Sequence, residues 1–236
     1  MNIAVILLTL NRNDLTKRVI DQNFFNSGYD ADCFLVDNGS DQVPYELYDW
    51  TNCNVGHKRG IGAGVNAGLR MTKGYDGVCL LANDILLPQN WLKNWVMFAQ
   101  QVPKTGIIGI HCVEELPPLV DGIHKTHVPF GDNFITRELI DTIGGYNTEY
   151  DPYGMQDRDY AERAIIAGFT NYYIPDLRSD HIGHDVGNGT DYRAMKDASL
   201  QRAQAVWEKY QPIYHTEKNL DANFSNNKQA KWGGLS

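Results

Sequence analysis

Apolar and polar stretches alternate along the first half of the chain, and this alternation predicts strands followed by helices. Residues 3–10 (IAVILLTL) form a continuous apolar run, which is typical of a strand buried on both faces of a parallel sheet. Asn13 or Asp14 is the predicted cap of the helix that follows. Further strands are predicted at 32–40, 52–56, 77–82 and 106–113, and helices at about 13–25, 62–72 and 90–101. This order favours an α/β fold with a mostly parallel central sheet and helices on both faces.

The second half is less regular but continues both patterns. A short helix is predicted over 135–145, where a glycine pair ends it. A helix at 156–167, a strand at 170–175 and a longer helix at 191–210 follow. The chain has no internal repeat and no evident linker, so the sequence predicts a single domain over residues 1–215. Residues 216–236 are predicted to form a polar tail or covering segment.

Composition narrows the class of protein. A hydrophobic content of 42% in 236 residues suits one globular core, and a net charge of -8 speaks mildly against a nucleic-acid surface. The four cysteines form no C-x-x-C pair, so they suggest reduced thiols rather than a zinc or redox motif. The first apolar run is too short to cross a membrane and has no basic region before it. We therefore expect a cytoplasmic protein, which includes the inner face of a membrane or, for a viral protein, the host cytoplasm.

Polar residues stand where four of the predicted strands end. In open α/β sheets, ligands bind beyond the carboxyl ends of the strands. Each polar residue alone could simply be a residue that forms a turn. Their coincidence at four strand ends favours a binding site for a polar ligand. The four ends carry Thr9, Asn11 and Arg12; Asp37 and Asn38; Asn54 and Gly56; and Asn83 and Asp84.

The glycine-rich stretch 56–68 does not match the dinucleotide fingerprint, because Val65 interrupts it and because it follows the third strand rather than the first. We expect it to bring backbone close to a ligand and to begin a helix whose N-terminus favours anions. His57, Lys58 and Arg59 would add positive charge there. Tight packing of the helix on the sheet is the alternative.

The ordered series of these motifs resembles the family 2 glycosyltransferases, which have the GT-A (Rossmann-like) fold. The resemblance covers most of residues 1–185, and its order is more specific than any one element. It is carried by Thr9-x-Asn11-Arg12, Val36 to Ser40, Asn54-x-Gly56, Gly62, Gly64, Asn66, Gly68, Leu81 to Asp84, Gly144-Gly145-Tyr146, Tyr153 to Asp159, Arg163, Pro175, His181 and Lys231 to Gly234.

The resemblance implies a role for individual residues. Asp84 would be the metal-binding acid of a D-x-D-like motif, and His181, or alternatively His184, would complete the metal or diphosphate site. Asp157 would be the catalytic base, and Asp37 would hold the base or ribose of the donor. The donor-binding set would comprise Thr9, Asn11, Arg12, Asp37, Asn38, Gly56, Gly62, Asn66 and Asn83. Gln156 and Asp132 are further candidates, and Asp132 has an alternative as an acid at a helix N-terminus.

Two positions depart from the family pattern. Ala82 and Asn83 precede Asp84 where an additional acid is usual, and Gln156 precedes Asp157 where glutamate is usual. Each change removes one negative charge and keeps the residue that the resemblance assigns to the chemistry. The second change leaves the base in place but could alter its pKa or its orientation.

The leading hypothesis is therefore a metal-dependent, inverting glycosyltransferase, of the hexosyltransferase or a related class, that uses Mn²⁺ or Mg²⁺. Its donor would be a nucleotide sugar. Its acceptor would be a glycan, a lipid-linked sugar or another hydroxyl-bearing molecule, and DNA is compatible but not favoured. A sugar nucleotidylyltransferase is disfavoured because the first strand is not followed by a glycine-rich basic motif. A degenerate, non-catalytic nucleotide- or glycan-binding module is the remaining alternative.

Overall fold

The computed structural model describes residues 1–41, 50–56, 60–112, 124–183 and 189–216. Most of the predicted tail, His57 to Arg59 and His184 lie outside these residues, so the predicted domain limits stay a prediction. The elements are β1 (Ile3–Thr9), α1 (Asn13–Phe25), β2 (Asp32–Asp37), β3 (Thr51–Asn54), α2 (Ile61–Met71), β4 (Gly77–Ala82), β5 (Ile85–Leu86), α3 (Trp91–Gln101), β6 (Thr105–His111), β7 (His124–Thr126), β8 (Asn133–Thr136), α4 (Arg137–Ile143), a 3-10 turn (Thr148–Tyr150), α5 (Gln156–Ile166), β9 (Thr170–Arg178), β10 (Asp180–His181) and α6 (Gly189–Thr216).

In the described part of the chain, eight strands form one sheet in the order β3-β2-β1-β4-β8-β6-β9-β7. β1 is parallel to both β2 and β4, and β2 is parallel to β3. β8 runs antiparallel between β4 and β6, whereas β6 and β9 are parallel. The predicted α/β fold with a mostly parallel sheet is therefore confirmed.

Each face of the sheet has its own apolar core. Ile6 on one face packs with residues of α2, α4 and α5, whereas Leu7 on the other packs with residues of α1 and α3. Trp91 and Trp95 are fully buried in the second core, with ring centroids 5.1 Å apart and nearly perpendicular planes. These two tryptophans therefore belong to the core, and helices cover both faces as expected.

The strand β8 was not predicted. The pattern of residues 135–145 indicated a helix, but Phe134 and Ile135 are fully buried between two neighbouring strands, and α4 begins only at Arg137. Thr136 makes the change of structure possible because its Oγ1 accepts a hydrogen bond from the amide of Leu139 (3.3 Å) and caps the helix. Burial of two side chains in the sheet has thus overridden a local helical pattern.

The long helix α6 extends further in both directions than the predicted helix at 191–210. Trp207, Tyr210 and Tyr214 on this helix pack with Tyr150 in a small third core. Within the described residues, no helix combines the length and the apolar character that crossing a bilayer requires.

A fully buried ion pair joins α4, α5 and α6. Arg163 Nε donates to Asp159 Oδ2 (2.8 Å), one helical turn earlier, and its other nitrogens donate to the carbonyls of Ile143 and Gly145 (both 2.9 Å). The Tyr214 hydroxyl donates to the second oxygen of Asp159. Because every charged atom has a partner, the pair can remain in a site without water.

Arg163→Met is expected to lower the free energy of unfolding by about 3–5 kcal/mol, because it leaves the Asp159 carboxylate buried without its cation. Urea denaturation at pH 7 measures this loss. Arg18→Met is the matched control, since Arg18 lies on the exposed side of α1; its effect should stay within about 0.5 kcal/mol. Equal effects of the two variants would contradict a stabilising role for the pair.

Candidate functional site

The structure brings the predicted strand ends together. Thr9 at the end of β1 is paired with Asp37 at the end of β2, and Asp37 is paired with Asn54 at the end of β3. On the other side of β1, Leu8 is paired with Ala82, which ends β4. Parallel pairing therefore places the four polar segments along one edge of the sheet, where ligands of open α/β sheets bind.

Asp37 organises the end of β2. Its side chain is fully buried, and Oδ1 accepts hydrogen bonds from the amide (3.0 Å) and hydroxyl (2.6 Å) of Ser40. Oδ2 accepts from Asn54 Nδ2 (3.2 Å), and Asn54 Oδ1 in turn accepts from the amide of Gly56 (2.7 Å). Asp37 thus holds Ser40 after β2 directly and Gly56 after β3 through Asn54. Asn38 is buried beside it, and its Oδ1 has no hydrogen-bond partner among the described residues.

The turn between β1 and α1 has an unusual backbone. Asn11 and Arg12 both lie in the left-handed region, with φ of 55° and 54°. Arg12 occupies the N-cap position without a side-chain cap, so the predicted capping by Asn13 or Asp14 is wrong. The Arg12 guanidinium instead binds both carboxylate oxygens of Asp14 (3.1 and 2.8 Å). This bond raises the pKa of Arg12, and the nearby charge of Asp84 acts in the same direction.

Asn83 ties this turn to the end of β4. Its Nδ2 lies 3.1 Å from Thr9 Oγ1, 3.2 Å from the Asn11 carbonyl and 3.0 Å from Thr16 Oγ1. An aspartate would have no N–H group to donate to these oxygens. The structure therefore gives Asn83 a role in holding the loop, and this role explains an amide at this position.

Asn66 and Gly62 are also engaged by the protein itself. Asn66 Nδ2 donates to the Tyr146 carbonyl (2.8 Å) and its Oδ1 accepts from the Tyr146 amide (2.7 Å). The amides of Gly62 and Ala63, on the first turn of α2, donate to the carboxylate of Asp151 at 2.7 and 3.0 Å. The anion expected at this helix N-terminus is therefore a carboxylate of the chain.

Asp84 and His181 meet beyond the end of β4. β5 and β10 pair antiparallel, and the amide of Ile182 donates to the carbonyl of Asp84 (2.8 Å). This pairing brings His181 Nε2 to 3.6 Å from Asp84 Oδ2, with the two side chains 24% and 29% exposed. A Cβ atom at Gly183 would lie 2.3 Å from Asp84 Oδ2, so the backbone can approach the carboxylate only at a glycine.

These two side chains fit a divalent cation that takes its other ligands from substrate and water. Two ligand bonds of about 2.1 Å keep two donor atoms within about 4.2 Å of each other, and the observed separation is 3.6 Å. In the described ranges, His, Cys, Asp and Glu form no cluster of three that could hold a metal. The set therefore suits an ion bound together with a diphosphate, not a closed structural site.

Asp132 is buried, and it is close enough to Asp84 for their charges to interact. Its Oδ1 accepts from the amide of Ala82 (2.7 Å), whereas Oδ2 has no partner in the part of the chain that the structure describes. Burial raises the pKa of Asp132 well above its usual value; the Ala82 bond opposes the shift, and the charge of Asp84 adds to it. Asp132 precedes a strand, so its alternative role as an acid at a helix N-terminus is wrong.

Asp157 lies in the first turn of α5, partly exposed, and its Oδ1 accepts from the amide of Arg158 (3.0 Å). Burial raises the pKa of the nearby Tyr146, with smaller contributions from Tyr160 and from the charge of Asp157. Gln156 is buried, and its Nε2 donates to the Tyr150 carbonyl (3.3 Å) and to Asp151 Oδ1 (3.4 Å). Asp157 is thus partly exposed at the start of α5, next to a glutamine whose side chain is held by the protein.

The role of Asp151 was missed at the level of the sequence. Its partners, Gly62 and Ala63, lie 89 and 88 residues earlier in the chain. An Asp-Pro dipeptide indicates only a turn, so no local pattern could have identified this contact.

The fold and the strand-edge site together define an α/β protein of the GT-A type. The sequence profile of the family described as "Glycosyl transferase family 2" matches residues 4–161, about two thirds of the chain. The chain therefore belongs to glycosyl transferase family 2.

Solved structures with the same fold are distant in sequence. A mannosyltransferase from Pyrobaculum calidifontis, PcManGT in complex with GDP-Man and Mn²⁺, superposes with a TM-score of 0.64 at 19% identity, over 91% of this chain and 68% of that one. S. aureus TarS 1-349 superposes with a TM-score of 0.60 at 13% identity, over 98% of this chain and 80% of that one. GalNAc-T7 with UDP, GalNAc and Mn²⁺ superposes with a TM-score of 0.69 at 12% identity, over 100% of this chain but only 52% of that one. No curated protein sequence matches the chain significantly.

Asp132→Asn should change how stability depends on pH. Below the unfolded-state pKa, roughly 3.9, both states of the wild type hold the proton, and the stabilising contribution is fully present. As the pH rises towards the raised folded-state pKa, the unfolded chain alone releases its proton, and the contribution is lost. The wild type should therefore lose stability relative to the variant above about pH 4, by up to roughly 1.4 kcal/mol per pH unit.

Urea denaturation of both proteins at several pH values measures this difference. Asp141→Asn is the control, because the Asp141 side chain is 68% exposed and its removal should produce no comparable divergence. Parallel stability curves for the wild type and Asp132→Asn would contradict a raised pKa of Asp132 in the folded protein.

Proposed function

We propose that the protein transfers a sugar from a nucleoside-diphosphate sugar to an acceptor hydroxyl, in a reaction that depends on a divalent metal ion and inverts the anomeric centre. The observation that carries the proposal is the approach of Asp84 and His181 to 3.6 Å at the sheet edge of a family 2 chain. The cytoplasmic location stays a prediction from the sequence.

On the donor side, Asp84 and His181 would hold the metal ion together with the diphosphate. A bound Mn²⁺ or Mg²⁺ supplies positive charge against the negative charge that develops on the leaving diphosphate. The presence of Mn²⁺ with GDP-Man in PcManGT, and with UDP in GalNAc-T7, supports this use of the fold. Arg12 is close enough to Asp84 for their charges to interact, and it would add a cation beside the diphosphate.

The end of β2 would receive the nucleoside. Asp37 shapes this region through its bonds to Ser40 and Asn54. The Oδ1 of Asn38, which no described residue binds, would be an acceptor for a donor group of the base or ribose. We therefore propose that Thr9, Asn11, Asp37, Asn38 and Gly56 form the nucleoside side of the site, where Thr9 and Asp37 act through their bonds to other residues. Asn66, Gly62 and Asn83 would hold the segments of this side in place without contacting the donor, because their polar groups already bind protein.

On the acceptor side, Asp157 would act as the general base. The acceptor oxygen attacks the anomeric carbon while its proton passes to the Asp157 carboxylate. The bond between the anomeric carbon and the diphosphate oxygen breaks, and its electron pair stays on that oxygen. The sugar passes through an oxocarbenium-like state, and attack from the face opposite the diphosphate inverts the centre. The acceptor class remains a glycan, a lipid-linked sugar or another hydroxyl-bearing molecule.

Neither departure from the family pattern favours a degenerate binding module. The Asn83 amide lies within hydrogen-bond distance of Thr9, the Asn11 carbonyl and Thr16, and the Gln156 amide binds Asp151 and the Tyr150 carbonyl. Both amides thus have local roles in the fold, and the chain retains Asp84 and Asp157 beside them. The β1–α1 turn also contains no glycine, which continues to disfavour a nucleotidylyltransferase.

Asp84→Asn is expected to abolish metal-dependent nucleotide binding, because it removes the anionic metal ligand. Thermal unfolding is measured with UDP, GDP, dTDP and CDP, with and without Mn²⁺. A nucleotide at a hundredfold excess over its Kd stabilises the wild type by about 2.7 kcal/mol, and this shift should disappear in the variant. Asp141→Asn should keep the full shift. A wild type that no nucleotide stabilises would contradict the proposal.

Asp157→Asn is expected to slow sugar transfer or donor hydrolysis by about 10²–10⁴-fold, because the variant cannot accept the proton. Nucleotide affinity should stay close to that of the wild type, since Asp157 takes no part in metal binding. Release of nucleoside diphosphate from the preferred donor gives the rate, and titration calorimetry gives the affinity. An unchanged rate would remove Asp157 from the role of base.

A further inference from the structure

The helix α2 begins without a cap of its own. Gly60 occupies the N-cap position, with φ of 114° and no side chain to accept a hydrogen bond. The partly exposed carboxylate of Asp151 supplies both missing acceptors, at 2.7 Å from the Gly62 amide and 3.0 Å from the Ala63 amide. The carbonyl of Pro152 accepts from the amide of Ile61 (3.1 Å). The segment that caps this helix is thus the one that leads into α5.

The close approach depends on two glycines. A Cβ atom at Gly60 would lie 2.5 Å from Asp151 Cγ, and one at Gly62 would lie 3.0 Å from Asp151 Oδ1. No side chain fits at the first position without moving the carboxylate. The glycine-rich stretch therefore brings backbone close to an anion, as the sequence suggested, but the anion is Asp151.

Gln156 completes the arrangement from the other side. Its Nε2 donates to Asp151 Oδ1 (3.4 Å), and burial raises the pKa of Asp151 while the bonds from Gly62, Ala63 and Gln156 oppose that shift. A glutamate at position 156 would bring a second carboxylate against the first, and like charges at this distance strongly disfavour each other. A neutral amide donor suits the site, and the next residue along the helix is Asp157.

We propose that Asp151 is a positioning residue for the catalytic base, and that its carboxylate is the reason why glutamine and not glutamate precedes Asp157. Asp151 fixes the start of α5 to the first turn of α2. α2 packs on the strands β1 and β2, whose ends form the nucleoside side of the site. The carboxylate thus sets the distance between the donor side and Asp157. The role in catalysis rests on the proposed function.

The test compares four variants with the wild type: Gln156→Glu, Gln156→Met, Asp151→Asn and the double variant Asp151→Asn/Gln156→Glu. The assay follows release of nucleoside diphosphate from UDP-glucose, UDP-N-acetylglucosamine or GDP-mannose with Mn²⁺, using the sugar that the wild type cleaves. Gln156→Met removes the hydrogen bond without adding charge and is the matched control. Asp141→Asn controls for removal of an exposed carboxylate.

Gln156→Glu should lower kcat about tenfold or more, with less change in KM for the donor, because a displaced base affects the chemical step more than donor binding. The pH at which kcat rises should also be higher in Gln156→Glu than in the wild type, because the added negative charge disfavours ionised Asp157. Gln156→Met should lose only about threefold and keep the pH profile. Asp151→Asn should lower kcat, and the double variant, which restores one carboxylate and one amide, should recover activity over Gln156→Glu.

Equal kcat values and equal pH profiles for Gln156→Glu and Gln156→Met would overturn the proposal, as would a double variant no better than Gln156→Glu. If Asp151→Asn does not fold, the comparison of the two variants at position 156 decides alone. A wild type that releases no nucleoside diphosphate from any of the three sugars counts against the proposed function. The unfolding midpoints of the same variants then show whether positions 151 and 156 together tolerate only one negative charge.

Discussion

The carboxylate of Asp151 on the first turn of α2 is the contact on which the geometry of the site depends. It joins a helix of the first half of the chain to the segment that begins α5 in the second half. This contact accounts for glycine at positions 60 and 62, because neither tolerates a Cβ atom without crowding the carboxylate. It also accounts for an amide at Gln156. Residues that resemble ligand-binding elements therefore serve to hold the two halves of the site together.

The sheet edge follows the same principle, because most of its polar groups bind one another. Asp37 is held by Ser40 and Asn54, and Asn83 is held by the turn after β1. Asp84 and His181 differ, since they face each other at 3.6 Å with part of each side chain exposed. A polar frame around two partly exposed side chains suits the proposed metal–diphosphate site, because the ligands are then positioned before the substrate arrives.

The sequence was sufficient to predict the features of the fold that depend on the local pattern of apolar and polar residues. The apolar run at 3–10 and the polar strand ends identified the central parallel strands and the position of Asp84, because the pattern of a doubly buried strand is strong. The pairing of His181 with Asp84 was implied by family resemblance alone, since it depends on the contact between β5 and β10. β8 was missed because four strand residues run directly into a helix. Asp151 was missed because its partners are almost 90 residues away.

The most direct test of the central claim is ³¹P NMR of the protein with nucleotide sugars and Mg²⁺, since the products reveal which bond is cleaved. A glycosyltransferase that turns over its donor, with water or an added acceptor, breaks the bond between the sugar and the diphosphate. The proposed function requires that one nucleotide sugar is converted to free nucleoside diphosphate, and only with the divalent cation present. Conversion to nucleoside monophosphate and sugar phosphate, or no conversion of any donor, would contradict it.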